Sequence, residues 1–279
     1  LTIGEETIQR LKKCRLIVRC GVGFDNVDCA AARRCGIPVA NVPDYGTEDV
    51  ADSTMGMLLM LARGIHYLNS RLRRGCGAWS YTQAQPLPRL RGRTLGIVGA
   101  GRIGAAVALR AKAFGLRVIL YDPYVPDGFE KSLGVERAET FAELLRASHL
   151  LTFHCPLTSE TRQMLNGESI EMLPRGAYVI NTSRGAVING NDLVDAVRSG
   201  QLAGAAIDVL EIEPPADADP LVRAWRDPTH PAHDRIIVNP HAAFYCEEGL
   251  EEMRVKGSVN CRRALLGEAL HNVVNASGA

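Results

Sequence analysis

Gly99-Ala100-Gly101-Arg102-Ile103-Gly104 lies between an apolar run, Leu95–Val98, and a helical pattern over Ala105–Phe114. Glycines at this spacing suit one local arrangement: a strand that ends, turns tightly and feeds a helix packed back against it. Gly99 permits the tight turn, Gly101 leaves the backbone open to close approach, and Gly104 lets helix and strand meet. The first turn of such a helix offers amide donors and a positive dipole end, a natural seat for a pyrophosphate. A second strand pattern, Arg117–Tyr121, ends in Asp122. That acid stands roughly 20 residues beyond the glycines, where a carboxylate binds a ribose 2′-hydroxyl and repels a 2′-phosphate. Strand, glycines, helix and acid together predict a dinucleotide site that takes NAD(H) in preference to NADP(H).

Around this motif, short β-branched runs alternate with helical stretches. Leu16–Cys20, Ile37–Asn41, Leu95–Val98, Arg117–Tyr121, Leu150–Phe153, Ala177–Ile180, Ala205–Asp208 and Ile236–Val238 read as strands. Ala105–Phe114, Phe141–Ala147 and Asn191–Ser199 read as helices, and Val50–Leu72 as one long helix that is apolar on most faces. Strands and helices alternating over short connections predict an α/β fold, a doubly wound parallel sheet covered on both faces. The expected division is 1–46 as the first part of a smaller domain, 47–244 as the nucleotide-binding domain, and 245–279 as a segment returning to the smaller one. Forty-six residues are few for half a domain, and the chain opens on Leu1, so a truncation is expected there.

Composition excludes several classes. Thirty-two Lys and Arg against 31 Asp and Glu leave a formal charge of +1, so no global field attracts nucleic acid or an anionic membrane. The longest apolar run, Met55–Ala62, is far short of the roughly 20 residues a membrane span needs. The 8 cysteines form no CxxC pair, which fits a reducing compartment and a cytoplasmic location. His230 and His233 have metal-like spacing but no third ligand nearby, so no metal is expected. Met55, Met57 and Met60 read as core or subunit-contact residues.

A second constellation sits just beyond later strand patterns, where open α/β sheets place their ligands. Val179-Ile180 runs into Asn181-Thr182-Ser183-Arg184-Gly185, Ile207-Asp208 into Val209–Pro214, and Ile236–Val238 into Asn239-Pro240-His241. Arg184 supplies a planar fork for a carboxylate. His241 exchanges a proton near neutral pH, with Glu213 expected to orient its ring and raise its pKa. Each residue alone is read more economically as a surface ion-pair or loop residue; three at matching strand ends argue for a site.

These motifs resemble, in order and spacing, the D-isomer-specific 2-hydroxyacid dehydrogenases over nearly the whole chain. The resemblance implies a Rossmann NAD domain with a smaller flavodoxin-like substrate domain, and NAD(H)-dependent interconversion of 2-oxo and D-2-hydroxy acids. It implies Arg184 as the substrate-binding arginine, His241 as the acid/base and Glu213 as its tuning partner. Gly99, Gly101, Arg102, Ile103, Gly104, Asp122, Cys155, Pro156, Thr182, Ser183, Asp208 and His241 are implied for the cofactor, Asp208 through the nicotinamide carboxamide. Gly21, Val22 and Gly23, in a loop whose amides would cup the substrate carboxylate, are implied for substrate together with Arg184 and Phe244. Asp49–Thr54, Ala108–Gly115, Tyr121–Tyr124 and Pro240–Tyr245 are similar to the C-terminal-binding-protein branch, animal corepressors with the same fold. Phe244 stands where those proteins have tryptophan. The branch implies an alternative role, an NAD(H)-sensing scaffold with incidental activity; the family implies a homodimer clasped through 50–72 and the following connector.

Overall fold

The computed structural model describes residues 2–276, and the chain divides into two compact units, Leu1–Asp49 with Phe244–Ala279, and Val50–Ala243. Leu1 and residues 277–279 of the expected terminal segments lie outside the described residues.

The first unit opens with α1 (Glu5–Arg10), β1 (Ile17–Arg19), α2 (Cys29–Arg34) and β2 (Val39–Asn41). Asp28 starts α2 by accepting the Ala31 amide at 2.8 Å, and Arg33 and Arg34 end it against the negative end of the dipole. β1 and β2 pair in parallel, Ile17 opposite Val39, and Ile8, Ala31, Ala32 and Val39 close a small core beneath them.

The chain then runs through α3 (Thr47–Ala62), α4 (Ile65–Arg73), β3 (Thr94–Val98), α5 (Arg102–Ala113), β4 (Arg117–Tyr121), α6 (Phe129–Leu133) and β5 (Glu136–Arg137). It continues through α7 (Phe141–Ala147), β6 (Leu150–Phe153), α8 (Gly167–Glu171), β7 (Ala177–Asn181), α9 (Gly190–Ser199), β8 (Leu202–Ile207), α10 (Pro220–Arg226) and β9 (Ile236–Val238). The last helix, α11 (Glu247–Leu266), belongs to the first unit.

Strands β3 to β9 form one parallel sheet in the order β5-β4-β3-β6-β7-β8-β9. The chain leaves β3 toward β4 on one side and later returns to β6 on the other. This reversal opens a crevice at the carboxyl ends of β3 and β6. Alternating strand residues feed two cores. Leu151, Phe153 and Val179 pack with α7, α9 and α10 on one face, while Leu150, Tyr178 and Ile180 pack with α3 and α5 on the other. Both faces are covered, so the strands read as continuous apolar runs. Met55 and Met57 are buried in the second core, which settles them as core residues.

Three differences from the sequence reading have physical causes. The single helix expected over 50–72 is two, broken at Gly64, whose φ of +61° is left-handed and whose added Cβ would lie 3.1 Å from Ala84 Cβ. The connector after Glu213 contains α10, started by Asp219 accepting the Val222 amide at 3.0 Å with Pro220 in the first turn. Leu221, Val222 and Ala224 of this helix are buried. β5 is only two residues, Glu136 and Arg137, too short to show a period.

Because Gly64 pairs a left-handed backbone with a tight neighbour, Gly64→Ala is expected to destabilise the protein by at least about 1 kcal/mol in urea unfolding. An unchanged midpoint would show that the helix break does not depend on glycine.

Candidate active site

The dinucleotide loop is shaped by what its glycines exclude. A Cβ on Gly99, whose φ is +93°, would lie 2.7 Å from the backbone of His154, and one on Gly104 would lie 2.0 Å from the Gly99 carbonyl oxygen. A Cβ on Gly101 would meet nothing within 4 Å, so it would fill the space in front of the helix. Gly101 also caps α5 with no side-chain acceptor, leaving the first-turn amides pointing into that space. A pyrophosphate fits this cradle. Arg102 is exposed at the first helical position, and Ile103 turns inward against the core. Asp122 anchors the loop: its Oδ2 accepts the Ala100 amide at 2.8 Å and its Oδ1 the Tyr124 amide at 2.9 Å.

At the end of β6, His154 Nε2 lies 3.0 Å from Thr152 Oγ1, while the buried Nδ1 has no hydrogen-bond partner among the described residues. Burial lowers this imidazole to about 3, so it is neutral at physiological pH. Cys155 follows, and burial pushes its thiol up to about 12, which makes it a packing residue rather than a nucleophile. Pro156 is exposed, and its carbonyl accepts the Thr161 hydroxyl at 2.7 Å.

The turn after β7 is organised by a residue the sequence reading did not single out. Asn181 is buried, donates from Nδ2 to the Arg184 carbonyl at 2.8 Å, and accepts both the amide and the hydroxyl of Ser183 on Oδ1. Its signal was an amide side chain at the last position of an apolar strand. Thr182 Oγ1 lies 3.0 Å from Thr54 Oγ1 of α3, and Arg184 Nη1 donates to the Ser183 carbonyl at 2.8 Å. Gly185 was likewise not assigned a role. A Cβ there would lie 2.0 Å from Leu210 C and 2.3 Å from the Glu211 amide nitrogen, so the Arg184 turn and the loop carrying Glu213 lie backbone against backbone.

Beyond β8 and β9, Glu213 and His241 meet. His241 Nδ1 lies 2.6 Å from Glu213 Oε2, and the other oxygen, Oε1, accepts the Leu210 amide at 2.8 Å. The carboxylate is therefore fixed from both sides, and the ring is oriented through Nδ1. His241 has φ of +52°, a left-handed conformation that is strained for histidine. Asp208 holds it there. This buried carboxylate accepts Asn239 Nδ2 at 2.5 Å and the amides of Ala242 at 2.9 Å and Ala243 at 3.1 Å, while its carbonyl accepts the His241 amide at 2.7 Å. Whatever it contributes to a nicotinamide, Asp208 first builds the histidine turn.

In the first unit, Gly21 has φ of +145°, its carbonyl accepts the Val42 amide at 3.1 Å, and the Val22 carbonyl accepts Asn41 Nδ2 at 2.7 Å. Val22 is exposed, Gly23 continues the same loop, and Phe244 stands edge-on to Tyr45 at 6.1 Å between ring centroids. His233 Nδ1 lies 2.5 Å from the Trp225 carbonyl and His230 Nδ1 accepts the Ala232 amide at 3.2 Å; both close the turn before β9.

Residues 55–243 match the model for the NAD-binding domain of D-isomer-specific 2-hydroxyacid dehydrogenases. This chain belongs to that family. The coenzyme of the domain is NAD(H). The chain is 37% identical over 273 residues to D-3-phosphoglycerate dehydrogenase of Methanocaldococcus jannaschii, covering 98% of this chain and 50% of that protein. It is also 37% identical over 273 residues to C-terminal-binding protein 1 of Caenorhabditis elegans, covering 96% of this chain and 36% of that one. The chain thus spans half or less of those relatives. Among solved structures, D-lactate dehydrogenase of Aquifex aeolicus in complex with NAD and lactic acid superposes with a TM-score of 0.87 at 29% identity, over 99% of this chain and 85% of that one.

Since Gly185 touches backbone rather than flexible side chains, Gly185→Ala is expected to destabilise the protein by at least about 2 kcal/mol in urea unfolding. A loss below about 0.5 kcal/mol, the scale of a surface change, would show that the two loops separate freely.

Proposed function

We propose that the protein interconverts a 2-oxo acid and a D-2-hydroxy acid with NAD(H). The observation that carries this reading is the Glu213–His241 pair at 2.6 Å beside the Arg184 turn, at the carboxyl edge of a sheet whose glycine loop fits a dinucleotide. NADH, when bound, supplies the hydride. Arg184 binds the substrate carboxylate and polarises the carbonyl. Because Nδ1 is committed to Glu213, the proton passes between His241 Nε2 and the substrate oxygen. Glu213 stabilises the imidazolium and keeps the ring from turning. Gly21, Val22, Gly23 and Phe244 belong to this reading as substrate contacts by family resemblance, and Thr182, Ser183 and Asp208 as cofactor contacts.

The test follows NADH absorbance against glyoxylate, pyruvate, hydroxypyruvate and branched or thioether-bearing 2-oxo acids. Turnover with one of them is expected, and His241→Ala should lower kcat at least about 100-fold while leaving NADH affinity within about threefold. NADH binding without turnover on any acid would overturn the enzyme reading in favour of the sensing scaffold.

The same reading includes a homodimer. Trp79 and Tyr81 are 90% and 75% exposed on the connector after α4, and Ile65 and Leu72 of α4 are also exposed. Next to them a cleft of about 710 Å³, lined by Leu61, Tyr67, Leu87 and Leu202 among others, opens at the amino-terminal edge of the sheet. Apolar projections and a receptive cleft on one segment suit a self-complementary two-fold contact. Sedimentation should give a dimer that Trp79→Ser with Tyr81→Ser converts to monomer; a monomer in the unmodified protein would refute the assembly. A cytoplasmic location belongs to the reading too, supported by eight cysteines that are all unpaired as disulfides.

A further inference from the structure

The adenosine end of the coenzyme crevice carries a contact that neither the glycine motif nor Asp122 explains. In the sheet order β4-β3-β6, the segments leaving β4 and β6 flank the end of β3, from which the glycine loop springs. Tyr124 lies on the first segment and Glu160 on the second, and the Tyr124 hydroxyl donates to Glu160 Oε2. The bond joins the two flanks. Tyr124 is itself tied to Asp122, whose Oδ1 accepts its amide at 2.9 Å. Asp122, the Tyr124 ring and the Glu160 carboxylate therefore form one connected rim, with an acid at each end.

Charge along the rim is one-sided. Residues 121–128 and 154–161 contain Asp122, Asp127 and Glu160 and no lysine or arginine. Arg137 pairs with Asp127 at 3.3 Å and offsets that acid, while Arg162, next to the second segment, pairs with Glu211 at 2.8 Å. The field is felt by neighbours: Glu160, through its hydrogen bond and then its charge, raises the Tyr124 hydroxyl, and Asp122 adds to the effect of burial on Cys155.

We propose that Glu160, positioned by Tyr124, is a second specificity-determining acid that works with Asp122 to reject the 2′-phosphate of NADP(H). A dianionic phosphate at the ribose would meet two carboxylates and no cation from either flanking segment, whereas a neutral 2′-hydroxyl meets acceptors only. The inference rests on the coenzyme assignment and is independent of which 2-oxo acid is reduced.

Binding of NADH and of NADPH to the full chain, followed by coenzyme fluorescence without any 2-oxo acid, tests it directly. The unmodified protein should bind NADH more tightly than NADPH. Glu160→Gln should tighten NADPH roughly three- to tenfold, as expected for removing one screened charge, and leave NADH within about twofold. Tyr124→Phe, which frees Glu160 to swing into solvent, should give a smaller gain in the same direction. Raising salt should narrow the gap between coenzymes in the unmodified protein more than in Glu160→Gln. Equal losses for both coenzymes in Glu160→Gln would make the pair a brace between loops and overturn the proposal. So would an unchanged NADPH affinity, or an unmodified protein that binds both coenzymes alike. Failure to bind either coenzyme would instead overturn the coenzyme assignment and the proposal with it, a result the NADH titration of the unmodified protein separates from the others.

Discussion

One buried charge holds the carboxyl edge of the sheet, where the proposed active site lies, together. Asp208 is 2% exposed at the carboxyl end of β8, a position where an uncompensated carboxylate would cost several kcal/mol. Its carboxylate oxygens are met by the chain that follows β9, the Asn239 side-chain amide and the Ala242 and Ala243 backbone amides, while its backbone carbonyl accepts the His241 amide. Those bonds can form only if the turn curls around the carboxylate, and the curl forces His241 into the left-handed region at φ +52°. A strain of about 1–3 kcal/mol is maintained there because the surrounding bonds to a charged acceptor outweigh it. The histidine is thus directed toward Glu213 through its backbone, by the bonds its turn makes to Asp208.

The arginine turn is coupled to the same assembly by packing rather than charge. Asn181 folds the Thr182–Arg184 backbone onto its own amide, and the absent side chain at Gly185 lets that backbone lie against Leu210 and Glu211. The Leu210 amide, in turn, fixes the Glu213 carboxylate at 2.8 Å. Arg184, Glu213 and His241 come from three separate strand ends, yet each is placed by backbone groups of its neighbour. Spacing in the sequence placed them on one edge; these backbone bonds are what make the edge a single object.

The fold was legible where both faces of a strand are buried, because apolar runs such as Leu150–Phe153 and Ala177–Ile180 cannot belong to an exposed element. It was illegible where one residue overrode a long pattern. The apolar periodicity from Val50 to Leu72 continues through Gly64, and only the close approach to Ala84, 20 residues on, shows that the chain must turn there. α10 was hidden by the prolines around it, although Asp219-Pro220 is itself a helix start. In the site, residues with a distinctive chemistry, Arg184, Glu213 and His241, could be singled out. Those acting through position could not: Asn181, Gly185 and Glu160 are ordinary residues until the partner across the fold is known.

The position of the site is marked by polar atoms more than by empty space. The cleft of about 710 Å³ lies at the amino-terminal edge and contains none of Arg184, Glu213 and His241. At the opposite edge Thr152, Asn181 and Asp208 are buried polar groups within one residue of the ends of β6, β7 and β8, and each makes hydrogen bonds. A strand that needs only to be stable has no use for such groups, since an apolar residue of equal volume would avoid the desolvation they carry. Their occurrence at three neighbouring strand ends means that each turn must hold one geometry rather than merely close the chain. His154 Nδ1 completes the argument by exception. It is a buried acceptor or donor with no partner among the described residues, beside the Gly99 backbone that the coenzyme loop requires, and it is the one polar atom of this row that protein groups leave unanswered.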